Sequence, residues 1–263
     1  CMCGAMACFV INDALVKYAS QTMPTSQLIF LRGVMATLLV LGVTCGTGAI
    51  RRWTVVLQPL VVVRALLDAV ATMLYLVSLF HLPIGNATAI NLAAPIAMTV
   101  FAALFMAERV GVSRWLAILG GFIGVVLIIQ PSADGFNVYA LVCLLGTLFH
   151  AARDLLTRRI PVQVPSLLIT LATAVAVTIL SGGLSAVEGW QPFGRLEFGL
   201  LALASGFLAG GYHLIIMSMR SGEISLVAPF RYSALLFAIV IGFVVWGEFP
   251  NALAWFGIVL LIG

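Results

Sequence analysis

Seven ionisable residues stand inside stretches that are otherwise apolar: Asp13, Arg32, Arg64, Asp68, Arg153, Asp154 and Arg231. A charged side chain at the middle of a hydrocarbon layer costs at least about 2.5 kcal/mol, so each of these needs a partner or a watery cavity. Three pairs have the i,i+4 spacing that places them on one helical face: Asp13 with Lys17, Arg64 with Asp68, and Asp154 with Arg158. Two readings stay open for each pair, neutralisation on its own helix or contact with a ligand. Arg231 differs, because it follows Pro229 and has no acid within four residues. A proline inside a membrane helix frees a backbone carbonyl, which water, a side chain or a ligand must then satisfy.

A shift of 140 residues places Arg231 on Asn91, four residues before Pro95. Near these positions the chain supplies Tyr75, His81, His150, Tyr212, His213 and Tyr232, and earlier Asn12 and Asp13. Aromatic and hydrogen-bonding side chains of this kind suit a ligand with an apolar body and a few polar groups, although each can also be a satisfied core residue. The expected cavity therefore draws on Asn12, Asp68, Tyr75, Asn91, Pro95 and His150 from the first part of the chain and its middle. Tyr212, His213, Pro229, Arg231 and Tyr232 complete it from the last part.

The elements that must position these residues follow from composition. Of 263 residues, 63% are hydrophobic and only 8% charged, where a soluble domain carries about 25% charge. The expected surroundings are a lipid bilayer. The formal charge of +4 is carried mainly between apolar runs, which points to membrane orientation and away from nucleic acid. Cys1, Cys3, Cys8, Cys45 and Cys143 lie in or beside apolar runs without paired spacing, so they read as small hydrophobes. The chain starts at Cys1 and stops within an apolar run, and both ends are read as trimmed.

A membrane helix needs roughly 20 apolar residues. Ten runs qualify, at about 1–19, 27–45, 59–80, 85–107, 113–130, 136–157, 166–182, 197–218, 225–246 and from 251 onward. Connectors such as MPTS, HLPIG, QPSADG and GEFPN are short and turn-rich. Basic residues collect after even-numbered runs, at Arg51, Arg52, Arg109, Arg114, Arg158, Arg159 and Arg220, whereas Arg195 and Lys17 are nearly alone after odd ones. Positive-inside then puts both termini in the cytoplasm. The five tryptophans, Trp53, Trp115, Trp190, Trp246 and Trp255, fall near run ends, as interfacial anchors should.

The runs repeat. A shift of 140 residues matches Ala94 with Ala234, Glu108 with Glu248, Trp115 with Trp255 and Ile118 with Ile258; a shift of 141 matches Asp13, Lys17 and Pro24 with Asp154, Arg158 and Pro165; and a shift of 137 matches Tyr75 with Tyr212. Residues 1–130 and 136–263 are thus expected to be two copies of a five-helix unit. Five is odd, so the second copy must enter the membrane inverted, with a shared binding site between the copies. The expected fold is all-α and polytopic, ten transmembrane helices in two inverted five-helix repeats. Glu108 and Glu248, each closing a helix, are expected to satisfy backbone donors at the start of the next one. Gly120, Gly121 and Gly124 offer a close-packing face for internal contact or dimerisation.

Catalytic patterns are absent: there is no HExxH, GxSxG, GxxxxGKS or zinc-spaced Cys and His cluster. No enzyme activity, cofactor or metal is expected, and any transport must run on gradients.

The duplicated unit, the run ending in Glu108 and Arg109, its partner ending in Gly247 and Glu248, the arginine of LIFLRG at Arg32 and the stretch LVAPFRYSALLFAIVIGFVVWGE together resemble the EamA family of the drug/metabolite transporter superfamily. The resemblance covers nearly the whole chain, and the aromatic amino-acid exporters within the family look similar overall. It implies a central cavity lined by spans one, three, four, six, eight and nine, alternating access, and export of amino acids or related small amphipathic metabolites across the inner membrane. The implied partners are a small-molecule substrate and the bilayer, with the chain a monomer or weak dimer. Small multidrug exporters of the same superfamily carry a membrane glutamate in the first span where this chain has Asn12 and Asp13. A lipophilic-cation exporter centred on Asp68 is one alternative. A nucleotide-sugar or sugar-phosphate carrier using Arg32, Arg64 and Arg231 is another.

Overall fold

Inside a bilayer no water is available to backbone amides, so an apolar run must bond its own N–H and C=O groups and folds as a helix. The computed structural model describes residues 2–106, 111–129, 137–157, 159–161, 163–221 and 228–262, and among them it is all-helical. In chain order the α-helices are α1 (Met2–Ala19), α2 (Thr25–Gly46), α3 (Pro59–His81), α4 (Ile84–Asn91), α5 (Ala94–Met106), α6 (Val112–Ile129), α7 (Val138–Thr157), α8 (Ser166–Glu188), α9 (Arg195–Ser221), α10 (Ser233–Trp246) and α11 (Ala252–Ile262). Among the described residues, six helical stretches are long and apolar enough to cross a membrane: α1, α2, α3, Ile84–Phe101, α7 and α8. Ile118–Ile128 and Phe230–Trp246 are shorter apolar helices. Glu108, Arg109 and Arg158 lie outside the described residues, as do the side chains of Arg114, His213, Arg220 and Pro229.

The fourth apolar run is two helices, not one. Pro95 has no N–H to donate to the Asn91 carbonyl, so α4 closes with Leu92 N–H on Thr88 O (3.0 Å), and α5 restarts with Ile96 and Ala97 both donating to Ala93 O. Asn91 is thereby left at a helix end inside the bundle. Towards the end of the chain a 3-10 turn, Ala228–Tyr232, precedes α10 in the same way. A second 3-10 helix, Ala49–Leu57, was not anticipated. Arg51, Arg52 and Trp53 on it are exposed, while Val56 packs on the small cluster of Val61, Ala65, Ile160 and Ala172.

Helices from the two parts of the chain alternate in space. α1 packs on α9 and α10, α2 on α8 and α9, α3 on α7 and α8, α7 also on α4 and α5, and α6 on α11. The interior is built from Leu28, Ile29, Leu76, Leu79, Ile84, Ile90, Leu201 and Leu235, with many alanines such as Ala5, Ala69, Ala87 and Ala238 at contact points. Large apolar side chains such as Leu38, Leu66, Ile179, Val244 and Phe256 face outward. Small inside and apolar outside is the arrangement expected where lipid, rather than water, surrounds the bundle. At the α6/α11 contact a Cβ on Gly257 would stand 2.5 Å from Gly124 O, so Gly124 serves internal packing, whereas nothing lies within 4 Å of a Cβ on Gly120.

Glu248 does satisfy a helix start, but in the other part of the chain. Gly247, at φ 67°, ends α10 in the left-handed conformation, and Glu248 N–H turns back to Gly242 O. The Glu248 Oε2 then accepts from Ile84 N (2.9 Å), the first amide of α4, while Oε1 pairs with Lys17 Nζ (2.8 Å). The next helix, α11, is capped instead by Asn251 Oδ1, which accepts from Ala254 N (2.8 Å). Asp13 and Lys17, four residues apart, consequently do not pair.

The α3/α7 crossing sets the positions of the polar groups described below. A Cβ on Gly146 would lie 3.2 Å from Ala71 O, Leu74 Cβ and Tyr75 N. A larger residue must push the helices apart. Gly146→Leu is expected to cost about 1–3 kcal/mol by overpacking and to lower the melting temperature in detergent by several degrees. Gly120→Leu, where nothing lies within 4 Å of a new Cβ, should leave melting unchanged, and equal melting of both variants would refute this account of the crossing.

Candidate functional site

Asp68 is the hub of one buried network. It is 4% exposed on α3, and its Oδ1 accepts from Arg153 Nη1 on α7 (2.5 Å) while Oδ2 meets Arg64 Nη1 one turn earlier on α3 (3.4 Å). Arg153 continues to Asp154, with Nε at 2.9 Å and Nη2 at 2.8 Å from Oδ1. Arg64 reaches Thr157 Oγ1 (3.1 Å) and Thr173 Oγ1 (2.5 Å), tying α3 to α7 and α8. His150 Nε2 stands 3.9 Å from Asp68 Oδ1, and its Nδ1 is 3.0 Å from Asn91 Oδ1. Two guanidinium groups face two carboxylates here, and the charges cancel through direct contact.

The second network differs in kind. Tyr75 OH donates to Asp13 Oδ2 (2.9 Å), Asn12 Nδ2 donates to Asp13 Oδ1 (2.9 Å), and Arg32 Nη1 donates to Asn12 Oδ1 (3.3 Å). Asn12, Arg32 and Tyr75 are 2%, 7% and 8% exposed. Arg32 Nε and the Thr88 hydroxyl are buried without a hydrogen-bond partner. Among the described residues Arg32 has no carboxylate within ion-pair distance, and Asp13 has no cation. The Tyr75 and His150 rings, with centroids 6.3 Å apart, join the two networks.

Of the side chains expected in a cavity, Asn12, Asp68, Tyr75, Asn91 and His150 come together in this way. Pro95 lies at the start of α5, where its carbonyl accepts from Thr99 Oγ1 (2.9 Å). Tyr212 packs edge-on against Phe9 (5.3 Å between centroids) and is 38% exposed. Arg231 is exposed and Tyr232 half-buried on the 3-10 turn. The side chains of His213 and Pro229 lie outside the described residues. His81 is away from the centre, stacked on Tyr139 at 3.8 Å. Asp13, Arg32, Arg64, Arg153 and Asp154, flagged above for their cost in hydrocarbon but not placed in the cavity, prove central. Thr157 and Thr173 gave no sequence signal. Among the described residues no three His, Cys, Asp or Glu side chains converge as a metal site needs.

Removing one partner of a buried ion pair leaves the other charge uncompensated, at a cost of about 3–5 kcal/mol. Asp68→Asn is therefore expected to destabilise strongly, and adding Arg153→Gln should restore part of the loss. A double-mutant cycle read by unfolding in mixed micelles checks this; simple additivity of the two losses would show that the pair is not coupled.

Comparison with known proteins adds the following. The EamA-like transporter family matches residues 1–130 and again 137–263. The pseudopaline exporter CntI of Pseudomonas aeruginosa strain UCBPP-PA14 is 28% identical, over 97% of this chain and 89% of its own. A riboflavin transporter of Brucella anthropi is 26% identical over 99% and 93% of the two chains, and an S-adenosylmethionine uptake transporter of Rickettsia bellii 23% identical over 95% and 86%. A protein of known crystal structure, 19% identical, superimposes with a TM-score of 0.65 over 99% of this chain and 93% of its own, a likeness of fold alone. With its apolar helices and a family match along nearly its full length, the chain is a multi-pass membrane protein that belongs to the EamA-like transporter family.

Proposed function

We propose that this chain is a secondary transporter that exports amino acids or related small amphipathic metabolites across the inner membrane by alternating access between two inverted five-helix halves. The single observation that carries the reading is the linked set of buried Asn12, Arg32 and Tyr75 with half-buried Asp13, Asn91 and His150 inside an otherwise apolar bundle. A helix bundle that needed only to fold would exclude such groups, because each must be desolvated.

The packing supports the inverted pairing of residues 1–130 with 136–263. Under that pairing α1 corresponds to α7, α2 to α8, α3 to α9, α4 with α5 to α10, and α6 to α11. The observed contacts map onto one another: α1 with α9 onto α7 with α3, and α1 with α10 onto α7 with α4 and α5. Pairs that map onto themselves, α2 with α8 and α6 with α11, also touch. Thr37 and Thr178 are 141 residues apart, the same shift that matches the first helices of the two halves, and their hydroxyls lie 3.2 Å from each other. Equivalent residues meet in this way on a two-fold axis. The distribution of basic residues supports cytoplasmic termini.

The named relatives handle chemically different solutes, so the residues here must choose among classes. A lipophilic-cation exporter centred on Asp68 would need that acid free, and Asp68 already holds two guanidinium groups. A carrier for anionic sugars remains the second reading, favoured by the buried guanidinium of Arg32 without a carboxylate partner.

Purified protein in proteoliposomes should take up labelled L-amino acids saturably and without ATP. Asn91→Ala with Arg231→Ala should lower this flux about tenfold or more, the effect of roughly 1.4 kcal/mol. Full flux in the double variant would remove both residues from the site, and flux that depends on ATP would overturn the gradient-driven reading.

A further inference from the structure

The two charges of the second network are kept apart by a neutral amide. A guanidinium only donates and a carboxylate only accepts, so an amide between them has one possible orientation: oxygen to Arg32, nitrogen to Asp13. Asn12 has that orientation, at 3.3 Å and 2.9 Å. Had Arg32 and Asp13 been placed to cancel each other, direct contact would be expected, as between Arg153 and Asp68 at 2.5 Å. Instead Arg32 is buried with a single amide acceptor and an Nε that has none. Asp13 accepts from an amide and a phenol, both neutral, and is only half-buried. A buried donor without an acceptor carries a desolvation cost that the folded chain does not relieve. An anion would answer the donors of Arg32, and the carboxylate one residue beyond the amide is suited to a cation.

We infer that Asn12, Asp13 and Arg32 form the headgroup subsite for a zwitterionic solute, with Arg32 taking its carboxylate and Asp13 its ammonium group. The inference rests on the transport reading above and places the carboxylate on buried Arg32 rather than on Arg231, which is exposed. Asn12 is a positioning residue that lies between the two charges and is hydrogen-bonded to both. Thr88 supplies a further hydrogen-bonding group, a buried hydroxyl beside Tyr75. Tyr75 and Tyr212 lie within electrostatic reach of the Arg32 guanidinium, and Phe9 packs on Tyr212, so an aromatic side chain on the solute has surfaces to meet.

The test uses the purified full chain in detergent with three probes: L-phenylalanine, phenethylamine, which lacks the carboxylate, and 3-phenylpropionate, which lacks the amine. Titration calorimetry on the unaltered protein should show L-phenylalanine binding at least about tenfold tighter than either analogue. In Arg32→Gln, L-phenylalanine should fall to the level of phenethylamine, whose own affinity stays put. In Asp13→Asn it should fall to the level of 3-phenylpropionate, and Arg32→Lys should recover part of the preference. Equal binding of the three probes by the unaltered protein, or an unchanged preference in Arg32→Gln, overturns the subsite. The comparison of probes on the unaltered protein stands even if a variant fails to fold. Proteoliposomes separate the two levels of the proposal. Flux of riboflavin with none of the twenty amino acids sinks the zwitterion subsite and leaves transport standing, whereas no flux of any of these solutes sinks transport itself.

Discussion

The structure depends on the cost of placing charge where water is scarce. Each guanidinium and carboxylate inside the bundle loses hydration worth several kcal/mol, and only close, well-directed partners offset that loss. Asp68 shows how this requirement orders helices. Its carboxylate is held from α3 itself by Arg64 and from α7 by Arg153, and Arg64 carries the link to α8 through Thr173. Sliding α3 along α7 by one turn would strand two charges. Apolar contact between alanine-rich surfaces tolerates such slippage, so the ion pairs fix the register while packing supplies most of the contact area. Gly146 permits the backbones to approach closely enough for Arg153 to reach Asp68.

The same constraint separates the two networks. Around Asp68 every charge is answered by another at ion-pair distance, and hydroxyls fill remaining guanidinium positions. Charged groups satisfied in this way lock helices and have little left to offer a solute. Around Asn12 the opposing charges are present in equal number but do not touch, and the buried Arg32 Nε goes without a partner. Burial alone would not have distinguished them, since Asp68 and Arg32 are 4% and 7% exposed. What differs is satisfaction, and unmet hydrogen-bonding capacity in a native interior asks for an explanation outside the chain.

Much of the fold was legible because hydropathy and helix length are local properties. Helix α8 begins at Ser166 and α3 at Pro59, the residues where the apolar runs begin, whereas the run 85–107, read as one span, is divided before Pro95 into α4 and α5. The short 3-10 helix Ala49–Leu57 escaped notice because two arginines interrupt it and only Val56 finds a buried face. Pairing was legible only in part. The i,i+4 rule found Arg64 with Asp68, yet the shorter contact of Asp68 is to Arg153, 85 residues away. It suggested Asp13 with Lys17, whereas the structure gives Asp13 to Tyr75 and Lys17 to Glu248. Spacing along one helix says which groups share a face; which neighbour that face meets is decided by tertiary packing. The Arg32, Asn12 and Asp13 arrangement lay beyond sequence reasoning for the same reason, although each residue had been marked as costly or polar.

Helix α1 carries both levels of this chemistry one turn apart. Asp13 engages α3 through Tyr75, and Lys17 donates to Leu82 O at 2.6 Å and to Glu248, with its ammonium 4.9 Å from the Trp246 ring centre. The need for this clamp begins with Pro83. As the residue preceding α4 it offers no side-chain oxygen to the first amide of that helix, and Ile84 N–H would remain an orphan. A carboxylate from 164 residues away fills the place, and its second oxygen then requires a cation, which α1 supplies. A helix is stiff over a single turn, so displacing α1 at Lys17 also displaces Asp13. The hydrogen bonds at both levels must therefore hold or yield together. Phe9, one turn before Asp13, fits the space where Gly211 has no side chain, with the nearest ring atom 2.8 Å from where a Cβ would be. That contact seats α1 on α9, so the two helices that meet there constrain the headgroup residues and the clamp through a single element.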